Sequence, residues 1–225
     1  MRIPLTKYGL PQVAIFPILV CVVMAALFFI LRPSMILIPI EIILFFVLVW
    51  MFSFFRDPLR AIQFDENILL SPADGTITEI VVVEDSELGA PALKIGMFLS
   101  VFNVHVNRVP CSVRIEKVVY KKGKFINAMS ADSGRINEAN DIFMQRLSNP
   151  KDRLLVRQVS GAIARHIVCE AKVNSEYRQG TAFGMIKFGS RAEVYLPAGP
   201  AKHEVMVKVG DPVRAGLTPL LKYLP

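Results

Sequence analysis

Three short stretches of the 225-residue chain gather reactive side chains among apolar and turn residues. SPADG carries Asp74, FLSVFNVHVNRVP carries His105, and FGMIKFGSRAEVYLP carries Ser190. An acid, an imidazole and a hydroxyl are the parts of an activated nucleophile. A serine hydroxyl is weak at neutral pH, and a histidine oriented by a carboxylate is a general way to take its proton. Each residue also has a plain structural use: Asp74 before Gly75 suits a turn, His105 suits a hydrogen-bonded core position, and Ser190 after Gly189 suits a loop. Ser190 lacks the G-x-S-x-G elbow of serine hydrolases, and the strand and helix alternation of that fold is missing.

The other polar residues exclude several chemistries. Cys21, Cys111 and Cys169 are odd in number and widely spaced, so they form neither a disulfide framework nor a zinc motif, and a reducing compartment suits them. Cys111 and Cys169 lie among apolar neighbours and read as buried structural thiols, because a reactive thiol needs an electropositive, partly open site. No metal is expected. The net charge of +7 is spread, with +3 of it over residues 1–60. Without an Arg-rich helix or aromatics interleaved on a basic strand, nucleic-acid binding is not expected; an anionic lipid surface or a plain solvated surface fits the balance.

The elements that must hold these groups are mostly strands. From Asn67 onward Val, Ile and Thr alternate with polar residues in short runs broken by Pro and Gly, as in ITEIVVVED, SVRIEKVVYKK, AEVYLP and EVMVKVG. A helix is expected only around residues 160–166 (SGAIARH). Residues 61–225 are therefore expected as a mainly β catalytic domain, a barrel or sandwich of short strands. VKVGDPVRAGL, residues 207–217, resembles a turn of biotinyl and lipoyl carrier folds, and SPADGTITEI resembles their opening strand. The likeness concerns architecture alone, because the modifiable lysine on a tight hairpin is missing.

Ahead of this domain, residues 13–31 carry no charge and residues 35–55 carry only Glu41, each close to the ~20 residues that cross a bilayer. A cleavable signal peptide has a shorter apolar core and a small-residue cleavage site. Residues 1–60 are therefore read as a membrane-associated helical hairpin turning at Arg32, Pro33 and Ser34. Arg2 and Lys7 before it and Arg56 and Arg60 after it, against Arg32 alone in the turn, place both ends in the cytoplasm. Pro17, Pro39 and Glu41 leave open a hairpin that dips into one leaflet.

The order of the three reactive stretches is the specific feature. After an apolar N-terminal segment and FFRDP (residues 54–58), SPADG, NVHVNRVP and FGS follow one another as in short-form phosphatidylserine decarboxylase proenzymes. The chain resembles these over nearly its whole length, RQVSGAIARHIVC and FGMIKFGSRAEVYLP included. It departs from long-form members at two places. Arg191 follows Ser190 where those have Gly-Ser-Thr, and Arg108 falls near their second histidine.

The resemblance implies an enzyme that makes its own cofactor. Ser190 attacks the Gly189 carbonyl, and the resulting ester eliminates and hydrolyses. The chain is thereby cut between Gly189 and Ser190 into a larger chain, 1–189, and a smaller one, 190–225, that begins with a covalently bound pyruvoyl group formed from Ser190. The fragments stay together as a heterodimer or in a higher oligomer. Asp74 and His105 are the implied acid and base, and glycine at 189 permits a strained, close approach. The ketone condenses with the amine of phosphatidylserine in the membrane and takes up electrons as carbon dioxide leaves, a logic shared with pyridoxal phosphate. His105 then supplies the proton that completes phosphatidylethanolamine. The implied location is the inner cell membrane, with the catalytic part facing the cytoplasm.

For the substrate, Phe98, Leu99, Val101 and Phe102 are candidates to receive acyl chains or glycerol, with core packing as the plain alternative. Asn137, Glu138 and Asn140 are candidates for the head group, against a solvated loop. An archaeal-type serine ether lipid would suit the same motifs. A membrane-anchored adaptor with a carrier-like β domain would explain the hairpin but leave the three stretches idle.

Overall fold

The computed structural model describes residues 4–31, 34–84, 88, 91–130, 132–162, 166–187, 189–198 and 203–224. The chain divides into two compact units, Met1–Leu59 and Arg60–Pro225.

The first unit is a helical hairpin. Helices α1 (Leu10–Leu31) and α2 (Leu37–Phe54) are apolar on every side, and both are long and apolar enough to cross a membrane. At ~1.5 Å per residue they extend about 33 and 27 Å, close to the ~30 Å of a bilayer's hydrocarbon core. Pro17 lies inside α1 and removes one backbone donor there. The outer ends are tied together: Thr6 donates its N–H to the Phe55 carbonyl at 2.9 Å, and Asp57 donates to Pro4 at 2.7 Å. Gly9 lies so close to the Phe55 ring that a Cβ would overlap it. Arg2 and Arg32, two of the charges that set the expected orientation, and Pro33 of the expected turn lie outside the described residues.

The second unit is mainly β, as the alternating stretches require. Its strands are β1 (Ile68–Leu70), β2 (Gly75–Val83), β3 (Ala92–Leu99), β4 (Val106–Arg108), β5 (Val113–Lys121), β6 (Ala139–Arg146), β7 (Arg153–Val159), β8 (Ile167–Cys169), β9 (Glu176–Tyr177), β10 (Ala182–Ile186), β11 (Ser190–Pro197), β12 (His203–Val205), β13 (Pro212–Val213) and β14 (Pro219–Tyr223). Eight of them form one antiparallel sheet, in the order β13-β2-β3-β11-β7-β6-β5-β9, curled into a half-barrel. Two three-stranded sheets, β1-β14-β12 and β4-β10-β8, complete the unit.

The two stretches that resemble carrier folds pair with each other, Pro212 facing Thr76 and Val213 facing Gly75. A short helix, α3 (Ser133–Ile136), was not legible in the sequence. Residues 160–162 are not helical, and residues 163–165, the centre of the expected helix, lie outside the described residues.

Strand alternation splits the large sheet into two buried faces. Leu93, Ile95, Met97 and Leu99 of β3, Ala192, Val194 and Leu196 of β11, and Leu154 and Val156 of β7 point into the main core. On the other face the same strands carry charge. Arg191 donates to Glu193 at 2.6 Å and reaches across β3 to Thr78 at 3.0 Å and to Glu79. It crosses directly over Gly96, where any side chain would collide with its guanidinium. Lys94 pairs with both Glu79 (3.0 Å) and Glu193 (3.2 Å), and Arg157 forks onto Asp141 at 2.5 and 2.8 Å. Burial alone would raise the Glu193 carboxyl, but Lys94 and Arg191 together with bonds from Tyr195 and Arg191 hold it below its usual range.

Candidate active site

Ser190 opens β11 and faces Leu99, the last residue of β3. It is fully buried, and its Oγ makes no hydrogen bond among the described residues. A buried hydroxyl left unpaired costs about 1–3 kcal/mol, so its retention calls for a chemical reason. Gly189 before it has φ +65°, the left-handed region. The nearest atom to a Cβ built there is Val101 Cγ1 at 3.9 Å, so glycine is needed for the backbone turn rather than for space.

His105 follows the turn that ends β3 and leads into β4. Ser100 closes that turn by donating its N–H to Asn103 Oδ1 at 2.8 Å. The His105 carbonyl accepts the Ile186 N–H at 3.3 Å, four residues before Ser190. The residue is fully buried, and its Nδ1 stands 3.0 Å from the Asn103 carbonyl oxygen. A carbonyl only accepts, so Nδ1 carries a proton in this contact, and in the neutral ring Nε2 holds the lone pair. Two residues on, Asn107 Oδ1 accepts from Gln158 Nε2 at 2.8 Å and fastens β4 to β7.

Asp74 stands just before β2, on the other side of β3 from Ser190. Arg60 grips its carboxylate with both Nη atoms, at 2.7 Å to Oδ1 and 2.9 Å to Oδ2, and the Ala215 N–H adds a third bond at 2.8 Å. The Arg108 N–H donates to the Pro72 carbonyl at 2.9 Å and ties this turn to β4. Asp74, His105 and Ser190 thus all sit at one end of the curled sheet. Among the described residues the Nδ1 acceptor is a backbone carbonyl, and the Asp74 carboxylate is bound by Arg60 and Ala215.

A cavity of about 350 Å³ opens against Gly189, lined by Phe98, Val101, Phe102, Ala128 and Ala162 with Ser100 and Asn127 as polar members. Phe102 is 71% exposed at this site, whereas Leu99 lies in the core. A second cavity, of about 360 Å³ by Ile68 and Pro219, touches neither Gly189 nor the three groups. Among the described residues no cluster of three His, Cys, Asp or Glu side chains could hold a metal ion. Burial raises the Cys111 thiol to about 12, consistent with an inert core cysteine.

Residues 47–220, which include all three groups, match the phosphatidylserine decarboxylase family. The chain belongs to that family. Proteins named phosphatidylserine decarboxylase proenzyme resemble it closely. That of Carboxydothermus hydrogenoformans is 42% identical over 178 residues, covering 79% of this chain and 81% of the relative. The Rhodopirellula baltica protein is 42% identical over 170 residues, covering 76% and 70%, and the Pelagibacter ubique protein 42% over 178 residues, covering 77% and 80%. Membership makes the chain an enzyme of the decarboxylase class.

Phosphatidylserine decarboxylase motifs did not reveal every residue that builds the site. Arg60 reads in sequence only as a basic flank of the hairpin, yet it is the partner of Asp74. Asn137 is no solvated loop residue: its Oδ1 accepts from the Ile126 N–H, and its Nδ2 donates to the Ile126 and Ser160 carbonyls, each at 2.8 Å. Glu138 and Asn140 are buried beside it. The burial of Asn137 in a strongly polar run was not legible in the sequence, because it depends on which loop folds over it.

Proposed function

We propose that this chain is a self-processing, pyruvoyl-dependent decarboxylase that converts phosphatidylserine to phosphatidylethanolamine with release of carbon dioxide. The observation that carries the reading is the buried, unpaired hydroxyl of Ser190, placed directly after a left-handed glycine at the sheet end that also holds His105. Those features fit a cofactor made from residue 190 itself.

In self-cleavage, His105 Nε2 takes the Ser190 hydroxyl proton while Asn103 holds the Nδ1–H. Ser190 Oγ bonds to the Gly189 carbonyl carbon, the peptide C–N bond breaks, and the proton passes to the freed nitrogen, giving an ester. Loss of the Ser190 α-proton then expels the Gly189 carboxylate, and water replaces the nitrogen, which leaves as ammonia. Asp74 and Arg60 keep the SPADG turn in place beside the β3 terminus throughout. The pyruvoyl group supplies a ketone that accepts the electrons released with carbon dioxide. His105 is the proton donor to the product, and the cavity lined by Phe98, Val101 and Phe102 receives the lipid next to residue 190.

The cut leaves residues 1–189 and 190–225 joined as a heterodimer without a covalent link. Strand β11 is hydrogen-bonded on both sides, to β3 and β7, and β13 and β14 pair with β2 and β1 of the larger fragment. The α1 and α2 hairpin anchors the enzyme in the inner membrane with the catalytic unit on the cytoplasmic side.

Vesicles of phosphatidylserine labelled at the serine carboxyl test this reading. The protein should release labelled carbon dioxide and form phosphatidylethanolamine, and Ser190→Ala should do neither. A processed protein that releases no carbon dioxide would overturn the substrate assignment.

A further inference from the structure

Strand β7 ends at Val159, which faces Arg191 across the ladder. One more step of the same antiparallel register sets Ser160 opposite Ser190 and Gly161 opposite Gly189. Packing at Gly161 agrees with that register, because a Cβ there would overlap the Gly189 carbonyl oxygen. Directly opposed residues of an antiparallel pair point to one face, with Cβ atoms about 4.5–5.5 Å apart, and paired hydroxyls at such positions can hydrogen-bond. Here it is the face of Val156 and Val194, the core side.

Ser160 shares two properties with Ser190. Both residues are fully buried, and neither Oγ makes a hydrogen bond among the described residues. The Ser160 backbone, by contrast, is fixed at both ends. Its N–H donates to the Glu138 carbonyl at 2.9 Å, and its carbonyl accepts from Asn137 Nδ2 at 2.8 Å. Only the χ1 rotation of its side chain is left, and that rotation swings the hydroxyl toward Ser190. The Asn107 to Gln158 bond lies two residues before Ser160, so the His105 segment is fastened to the same strand.

We propose that Ser160 is a further residue of the self-cleavage machinery, resting on the self-processing reading above. Its O–H donates to Ser190 Oγ, aims that oxygen at the Gly189 carbonyl carbon, and stabilises the negative charge that gathers on it as His105 takes the proton. No bond is made or broken at Ser160. Gly161 completes the arrangement by letting the scissile carbonyl pack against bare backbone.

The test follows self-cleavage directly, as loss of full-length chain into fragments of 1–189 and 190–225 by denaturing electrophoresis and intact mass. Wild type, Ser160→Ala, Ser160→Thr and Ser190→Ala are compared, with each Ser160 substitution also placed on the Ser190→Ala background for melting temperatures. Ser160→Ala should slow cleavage about tenfold or more, the scale expected for a lost donor at a developing charge. Ser160→Thr, which keeps the hydroxyl, should restore cleavage, and the melting temperatures should agree. Cleavage of Ser160→Ala at the wild-type rate overturns the proposal, and so does equal slowing in both Ser160 variants. If wild type itself is never cut, the self-processing reading fails, a result distinct from either.

Discussion

Arg60 holds Asp74 by both nitrogens of its guanidinium fork, and the two side chains are only 4% and 10% exposed. Removing one partner of a buried ion pair strands the other charge, at about 3–5 kcal/mol. Asp74→Ala should therefore lower the melting temperature and leave mostly uncut precursor. Arg60→Met should do the same, although it lies far from Ser190 in sequence. Normal processing in the Arg60 variant would show that the pair does not position the site.

His105 is expected to act through Nε2, because Nδ1 is engaged with Asn103. His105→Gly should accumulate precursor, and added imidazole should restore part of the cleavage. A His105 variant that cleaves normally but cannot decarboxylate would confine its role to the second reaction.

Gly189 and Gly161 should respond differently to alanine. At Gly189 the space is open and the penalty is the left-handed backbone, about 1–2 kcal/mol, so Gly189→Ala should fold and cleave slowly. At Gly161 the new methyl meets the Gly189 carbonyl, so Gly161→Ala should displace the scissile bond and block cleavage more severely. Mass analysis of fragment yield over time distinguishes the two.

The buried charges give the fold an acid limit. Burial raises Glu193 and Asp141, but Lys94 and Arg191 around the first, and Arg157 and Lys121 around the second, outweigh it and leave both below their usual range. A carboxyl lowered in the fold lends stability that is complete above its unfolded value and is lost as pH falls through the folded one. Melting temperature in detergent should thus drop from about pH 4.5 downward, starting at the ordinary glutamate value. Glu193→Gln should be less stable at neutral pH and lose less on acidification. An unchanged acid slope in that variant would contradict the assignment.

The hairpin, the strands and the three reactive stretches were legible because each rests on local pattern: unbroken apolar runs, period-two alternation, and turn residues beside a reactive group. The partners of those groups were not. Arg60 meets Asp74 because the loop before β1 folds back onto the SPADG turn, and Arg191 crosses Gly96 to Glu79 because distant strands become neighbours; sequence spacing carries no trace of either. Lys94 and Glu193 look like the solvent side of ordinary strands, yet they are buried in a charged layer that the half-buried Arg157 borders. General catalytic logic sets a carboxylate beside His105; among the described residues its Nδ1 meets the Asn103 carbonyl, a backbone partner that no side-chain pattern announces.

Intact mass of the purified protein tests the central claim most directly. Two fragments are expected, 1–189 and 190–225, that separate only on denaturation, the smaller with a blocked, ketone-bearing N-terminus at position 190, and Ser190→Ala should remain whole. A single full-length chain with an unmodified Ser190 would contradict it.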